Sequence, residues 1–212
     1  NLILVGKKTR KQLEYDPSEI QKEIVEIVNS QQEEFTRIFI DQIIPELQQQ
    51  HINLVSTEDL TKEQDAFLQQ YFEDNLLPFV QPVLLNRNKI RPFLNNAALY
   101  LVIRLNDKAK PNSRDRYGVV KIPSDHLSRF IELPSDDHRK YIIMLDDIVR
   151  RTIHHLFPGY EILDSFSIKL SRDAELYIDD EFSGDLISKI RKSLNKRSVG
   201  PPSRFLYARN MP

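Results

Sequence analysis

Apolar residues recur along this chain at two different periods, and the change from one to the other falls near Pro78. Before it the spacing is helical. Ile20, Ile24, Ile27, Val28, Phe35, Ile38 and Phe39 repeat at three and four residues, the period of a helix face. Asp16 stands as a potential N-cap, with Pro17 at the first helical position, where its missing N–H costs nothing. The pattern predicts a helix from about 17 to 44. Pro45 should kink or end it, because proline lacks a donor and its ring crowds the preceding turn. "INLV" (52–55) reads as a short strand. Thr61 and Gln64 have capping-box spacing, which predicts a second helix burying Phe67, Leu68, Tyr71 and Phe72.

After Pro78 the alternation is that of strands. "QPVLL", "ALYLVIRL" (98–105) and "RYGVVKI" (116–122) are strand candidates, the last two joined by the polar stretch "NDKAKPNSRD". That stretch is expected to be an exposed loop. "SRFIEL" and "YIIML" flank the turn "PSDDHRK". In "LDDIVRRTIHHLF" residues 145, 148, 149, 153 and 156 form one apolar helix face, and Pro158-Gly159 stops it. A strand over 160–172, a helix over about 184–197 and a last strand over 203–208 complete the chain. Helices first and then strands interleaved with helices predict an α+β fold: long N-terminal helices followed by a mixed β-sheet with packed helices.

The strand "FSIKLSR" poses a question. Phe166, Ile168 and Leu170 share one parity, and the next residue of that parity is Arg172. Lys169 lies on the other parity between two serines. An arginine closing an apolar strand face needs a partner. Acidic Asp173 and Glu175 follow at once, but the planar guanidinium fork fits a carboxylate and a phosphate equally well.

Charge narrows the partners. The 212 residues carry 30 basic and 31 acidic side chains, a formal net charge of -1, so a polyanion site must be local. One local excess exists. From Lys189 to Arg209 there are seven basic residues and no acidic one. Cysteine is absent, which excludes disulfides, thiolate nucleophiles and zinc-thiolate sites. Residues 1–15, with Lys7, Lys8, Arg10 and Lys11, read as the connection from a preceding domain, and 16–212 as one domain. The chain is read as a segment of a longer protein.

Familiar reaction centres are missing. There is no Gly-rich phosphate loop and no nucleophile elbow. His154 and His155 are neighbours on a helix and point about 100° apart, which suits a helix C-terminus better than a metal. Asp146-Arg150 and Asp147-Arg151 have i, i+4 spacing, the spacing of helix ion pairs.

Six motifs in order are similar to the middle region of the phosphohistidine-forming bacterial polyphosphate kinases. They fall on Arg116–Pro123, Arg129–Pro134, Leu145–Val149, Leu156–Gly159, Lys169–Glu175 and Arg197–Phe205. The stretch "SQQEEFTRIFIDQIIPELQQQHINL" also resembles that family. The resemblance implies a parent enzyme that reversibly moves the terminal phosphate of ATP onto inorganic polyphosphate, using Mg²⁺ and a histidine in other domains. It implies that this segment is the middle, or "head", domain. The segment would then hold no catalytic residue and no cofactor of its own, and would be inactive alone. Its expected roles are scaffold, subunit interface of a homodimer or higher oligomer, and wall of a polyphosphate tunnel, in a cytoplasmic enzyme with a peripheral place at the inner membrane face. Lys169, Arg172, Arg197 and Arg204 are the candidates for polyanion or domain-interface contacts. The competing reading is a nonenzymatic module whose basic 189–209 strip binds a polyanion such as nucleic acid. That reading lacks interleaved exposed aromatics and an overall basic balance.

Overall fold

The computed structural model describes residues 16–85, 93–135, 138–172 and 202–212. The described residues fall into two compact units, one within Asn1–Leu54 and Asp137–Lys140 and one within Val55–Asp136 and Tyr141–Pro212.

The first unit is dominated by helix. α1 (Pro17–Ile38) starts where the sequence places it: the Asp16 carboxylate accepts from the Ser18 N–H at 2.9 Å, with Pro17 next in line. Pro45 does not end the helical run. A π turn over Phe39–Ile43 leads into α2 (Ile44–Gln49), with the Ile44 N–H bonded to the Phe39 carbonyl. Widening the turn one residue ahead of the proline accommodates its ring and its missing donor. β1 (Ile52–Leu54) follows. The apolar stripe of α1 is left in the open: Ile24, Val25 and Ile27 are about half exposed and Phe35 is 69% exposed.

In the second unit α3 (Lys62–Tyr71) opens with the full capping box between Thr61 and Gln64. The Gln64 amide also donates to the Pro134 carbonyl at 3.2 Å, which lets this polar side chain lie buried. A second π turn, Phe72–Leu76, again stands just ahead of a proline, Pro78.

The main sheet contains β2 (Pro82–Leu85), β3 (Leu99–Asp107), β4 (Arg116–Lys121), β7 (Tyr160–Arg172) and β8 (Pro202–Tyr207), in the order β2-β4-β3-β7-β8. The α+β class and the order of helices before sheet stand. All four pairings in this sheet are antiparallel, which narrows the mixed sheet expected. β5 (Phe130–Leu133) and β6 (Lys140–Met144) pair as a hairpin, Ile131 opposite Ile143. α4 (Leu145–Leu156) buries Leu145, Ile148, Val149, Ile153 and Leu156. These join Leu101, Ile103, Leu105 and Val120 in the main core. Gly118 is required there, since a Cβ on it would lie 2.6 Å from the Phe157 ring.

None of the described helices is long and apolar enough to cross a membrane. The expected connection over 1–15 and the helix over 184–197, with Arg197 and most of the basic strip, lie outside the described residues.

Candidate functional site

The question raised by β7 resolves into two faces. Phe166, Ile168 and Leu170 are buried, between 4% and 7% exposed. Phe166 lies opposite Val102 and Ile168 opposite Tyr100 on β3. Ile168, Tyr100 and Val119 make a small second core with Leu94 and Met211 packed against it. The main core is on the other side of the sheet, where Ser165 and Ser167 lie opposite Ile103 and Leu101.

Arg172 belongs to the small core's side and serves as a clip. A bulge separates it from Ser171. Its N–H donates to Asn96 Oδ1 at 2.8 Å and its Nε to the Leu94 carbonyl at 3.0 Å. The guanidinium lies over the Phe93 ring, 4.3 Å from the centroid, within cation–π range. The Ala97 N–H bonds to the Leu170 carbonyl at 2.8 Å. Arginine suits this position because its stem covers apolar surface while its planar head stacks and donates. The sequence pointed to Asp173 or Glu175 as partners; those two residues lie outside the described set. The contacts seen reach a segment 78 positions away in the chain.

Lys169 and Arg204 share the opposite face of the β7–β8 ribbon. Lys169 lies opposite Leu206 and Ser171 opposite Arg204, so the two cations are diagonal neighbours on one face, within reach of one another's long side chains. Both are exposed, and among the described residues neither forms an ion pair. Phe205 and Tyr207 point to the other face, about half exposed, with rings stacked 5.9 Å apart.

The residue that sequence reasoning missed is Arg150. It donates to the Ser165 carbonyl at 2.8 Å, to Ser165 Oγ at 2.6 Å and to Ser167 Oγ at 3.0 Å. This ties α4 to β7. The helix pairs expected within α4 are not the ones formed. Arg151 reaches Asp65 on α3 at 3.1 Å. Arg129 Nη2 stands 3.2 Å from Asp146 Oδ1, close enough for attraction but off the hydrogen-bond direction. Arg150 is 3.8 Å from Asp147 at i, i+3. Partners on neighbouring elements outcompete i, i+4 pairing, which is worth only about 0.2–0.5 kcal/mol on a helix surface. Burial, and then the neighbouring Asp146 charge, push the Asp147 carboxyl above its ordinary range.

His154 and His155 are exposed, and the His155 ring stacks on Phe72 at 5.6 Å. No group of three or more histidines, aspartates or glutamates among the described residues is gathered for a metal ion. Among the described residues the geometry places two exposed cations, Lys169 and Arg204, on one face of the β7–β8 ribbon.

A family model described as the polyphosphate kinase middle domain matches residues 63–212. The chain is 34% identical over 169 residues to a polyphosphate kinase of Bacillus cereus, covering 79% of this chain and 24% of that protein. To a polyphosphate kinase of Yersinia pestis it is 32% identical over 200 residues, 90% of this chain and 28% of that one. The crystal structure of polyphosphate kinase from Porphyromonas gingivalis superposes with a TM-score of 0.71 at 32% identity, over 92% of this chain and 28% of that one. The chain belongs to the polyphosphate kinase middle-domain family. It spans about a quarter of the length of the relatives it matches.

Proposed function

We propose that this chain is the middle domain of an enzyme that reversibly transfers the terminal phosphate of ATP to inorganic polyphosphate in the cytoplasm. Phosphoryl transfer needs a nucleophile, positioned cations and usually Mg²⁺ held by acidic ligands. In this reading the phosphorylated histidine, ATP and Mg²⁺ belong to the other three quarters of the polypeptide. This domain supplies a rigid sheet, a contact with a second copy and a wall beside the polyphosphate path. The observation that carries the reading is the agreement of sequence and fold over 92% of the chain with a polyphosphate kinase.

The exposed apolar residues of α1 and the π turn after it, Ile20 to Ile43, would provide the apolar surface that contact with a second copy requires. The other reading, a nonenzymatic module for nucleic acid, predicts retention of RNA and no exchange chemistry.

The test uses the full-length protein with ATP labelled in its terminal phosphate. Label should enter an acid-labile protein bond and then a polyphosphate chain, and ADP with polyphosphate should regenerate ATP. Absence of both transfers would overturn the reading.

A further inference from the structure

We infer that the exposed apolar stripe of α1 takes an amphipathic helix with a basic flank, and that this helix is not a second α1. The inference rests on the contact with a second copy proposed above and names the kind of surface that copy must present.

The stripe sets the shape of the partner. Residues of a helix step by about 100°, so Ile20, Ile24, Ile27, Val28, Phe35 and Ile38 fall within about a third of a turn. All of them except Val28 are exposed. From Ile20 to Ile38 the stripe runs about 27 Å. A straight apolar face this long and narrow fits another helix laid along it. The Phe35 and Phe39 rings stack at 6.5 Å and order its far end. Gln31 lies in the middle of the same arc, so the partner must offer it one polar group.

The flanks set the charge of the partner. α1 carries five acidic residues and two basic ones. Glu23 and Glu34 border the stripe on one side, with Glu19, Glu26 and Glu33 beyond them. Gln21 and Gln32 border it on the other side. The cations Lys22 and Arg37 lie behind the acids, away from the stripe, and Arg37 reaches back to Glu34 at 4.0 Å. Every one of these charged side chains is exposed.

Other occupants match poorly. A second α1 laid antiparallel would bring the Glu23–Glu34 flank against its own copy, and like charges across a helix pair repel. Laid parallel, it would set the acids against glutamines and leave them unmatched. A lipid surface calls for Lys and Arg beside the stripe, and α1 has acids and glutamines there. A helix with lysines or arginines along one flank satisfies both the stripe and the acids, and fixes their relative direction.

The experiment compares the full-length protein with its Glu23→Gln/Glu34→Gln variant by hydrogen exchange of the α1 amides at low salt. Glutamine and glutamate have similar helix propensities, and circular dichroism reports on helix content. Loss of the two charges should lower protection of α1 about fivefold, the scale of two exposed ion pairs, and added salt should erase the difference. Glu19→Gln/Glu26→Gln, further from the stripe, should change protection by less than about twofold. Carbodiimide cross-linking should join Glu23 or Glu34 to a lysine in a helix outside α1. A full-length protein that sediments as a monomer, yet keeps the protection and the cross-link, would overturn the second-copy reading alone; the basic helix then comes from the same polypeptide. Protection that rises in Glu23→Gln/Glu34→Gln would mean that α1 pairs with itself and would overturn the inference. So would unchanged protection, or α1 amides that exchange as freely as those of an uncovered helix in the full-length protein.

Discussion

α1 and α4 are both amphipathic helices with a clear 3.6-residue period, and they meet opposite fates. In α4 the apolar positions are all buried, three of them completely. In α1 only Pro17 is buried, and its isoleucines and Phe35 face outward. The N-termini differ in the reverse sense. α1 has a side-chain cap at Asp16, while α4 has none and begins with Asp146 and Asp147 against Arg129 and Arg150. Periodicity thus states which face of a helix wants cover. It does not state what supplies the cover, and a chain that is a quarter of its relatives' length can leave such a face without it.

The widest gap between the two helices should appear on truncation. Ile148→Ala removes a fully buried side chain from the main core and should cost about 2–5 kcal/mol in denaturant titration. Phe166→Ala, on the buried face of β7, should cost about 3–5 kcal/mol. Ile24→Ala on α1 should stay within about 0.5 kcal/mol, as exposed substitutions do. A loss at Ile24 matching that at Ile148 in a monomeric sample would show that α1 is covered after all and erase the contrast.

Gly118→Ala sharpens the comparison from the sheet side. The new methyl meets the Phe157 ring just beyond the end of α4, and overpacking of this kind costs about 1–3 kcal/mol. The double change Gly118→Ala/Phe157→Leu should recover part of it. No loss at Gly118 would mean that the α4 end packs more loosely than its burial indicates.

Much of this was legible in sequence because it is local. The α1 start, the Thr61–Gln64 capping box, the apolar face of α4 and the β7 alternation each depend on residues within one turn or one strand. The parts that were not legible depend on distant groups. Arg172 finds Phe93, Leu94 and Asn96 across the sheet, and Arg151 finds Asp65 from 86 positions away. Arg150 could be recognised as a strand clip only once α4 was known to lie on the serine face of β7. Pro45 reads as a kink or a stop because it lacks a donor and crowds the preceding turn; the π turn that absorbs it has no strong sequence signature. Of the candidate site, the strand alternation already sets Arg172 on the parity opposite to Lys169, whereas the pairing that makes Lys169 and Arg204 neighbours is a contact between strands that periodicity does not show.

The smallest expected effect concerns the uncapped start of α4. The Asp147 carboxyl is raised by burial and by Asp146, with Arg150 and Arg129 lowering it in part. A carboxyl whose pKa is higher folded than unfolded holds its proton more tightly in the native state. On its account stability falls as pH rises through that interval, and above the folded pKa the cost is fully present. Asp147→Asn removes the charge and keeps the shape, so the variant should be slightly more stable than the parent sequence near neutral pH. The advantage should shrink as pH falls and the native carboxyl takes up its proton. Chemical denaturation at several pH values between neutral and acid checks this. The opposite sign, with Asn less stable at neutral pH and the gap closing in acid, would mean that the first-turn charge and the 3.8 Å approach of Arg150 outweigh burial. The start of α4 would then be held electrostatically, as the Asp16 cap holds α1, and the difference between the two helix starts would close.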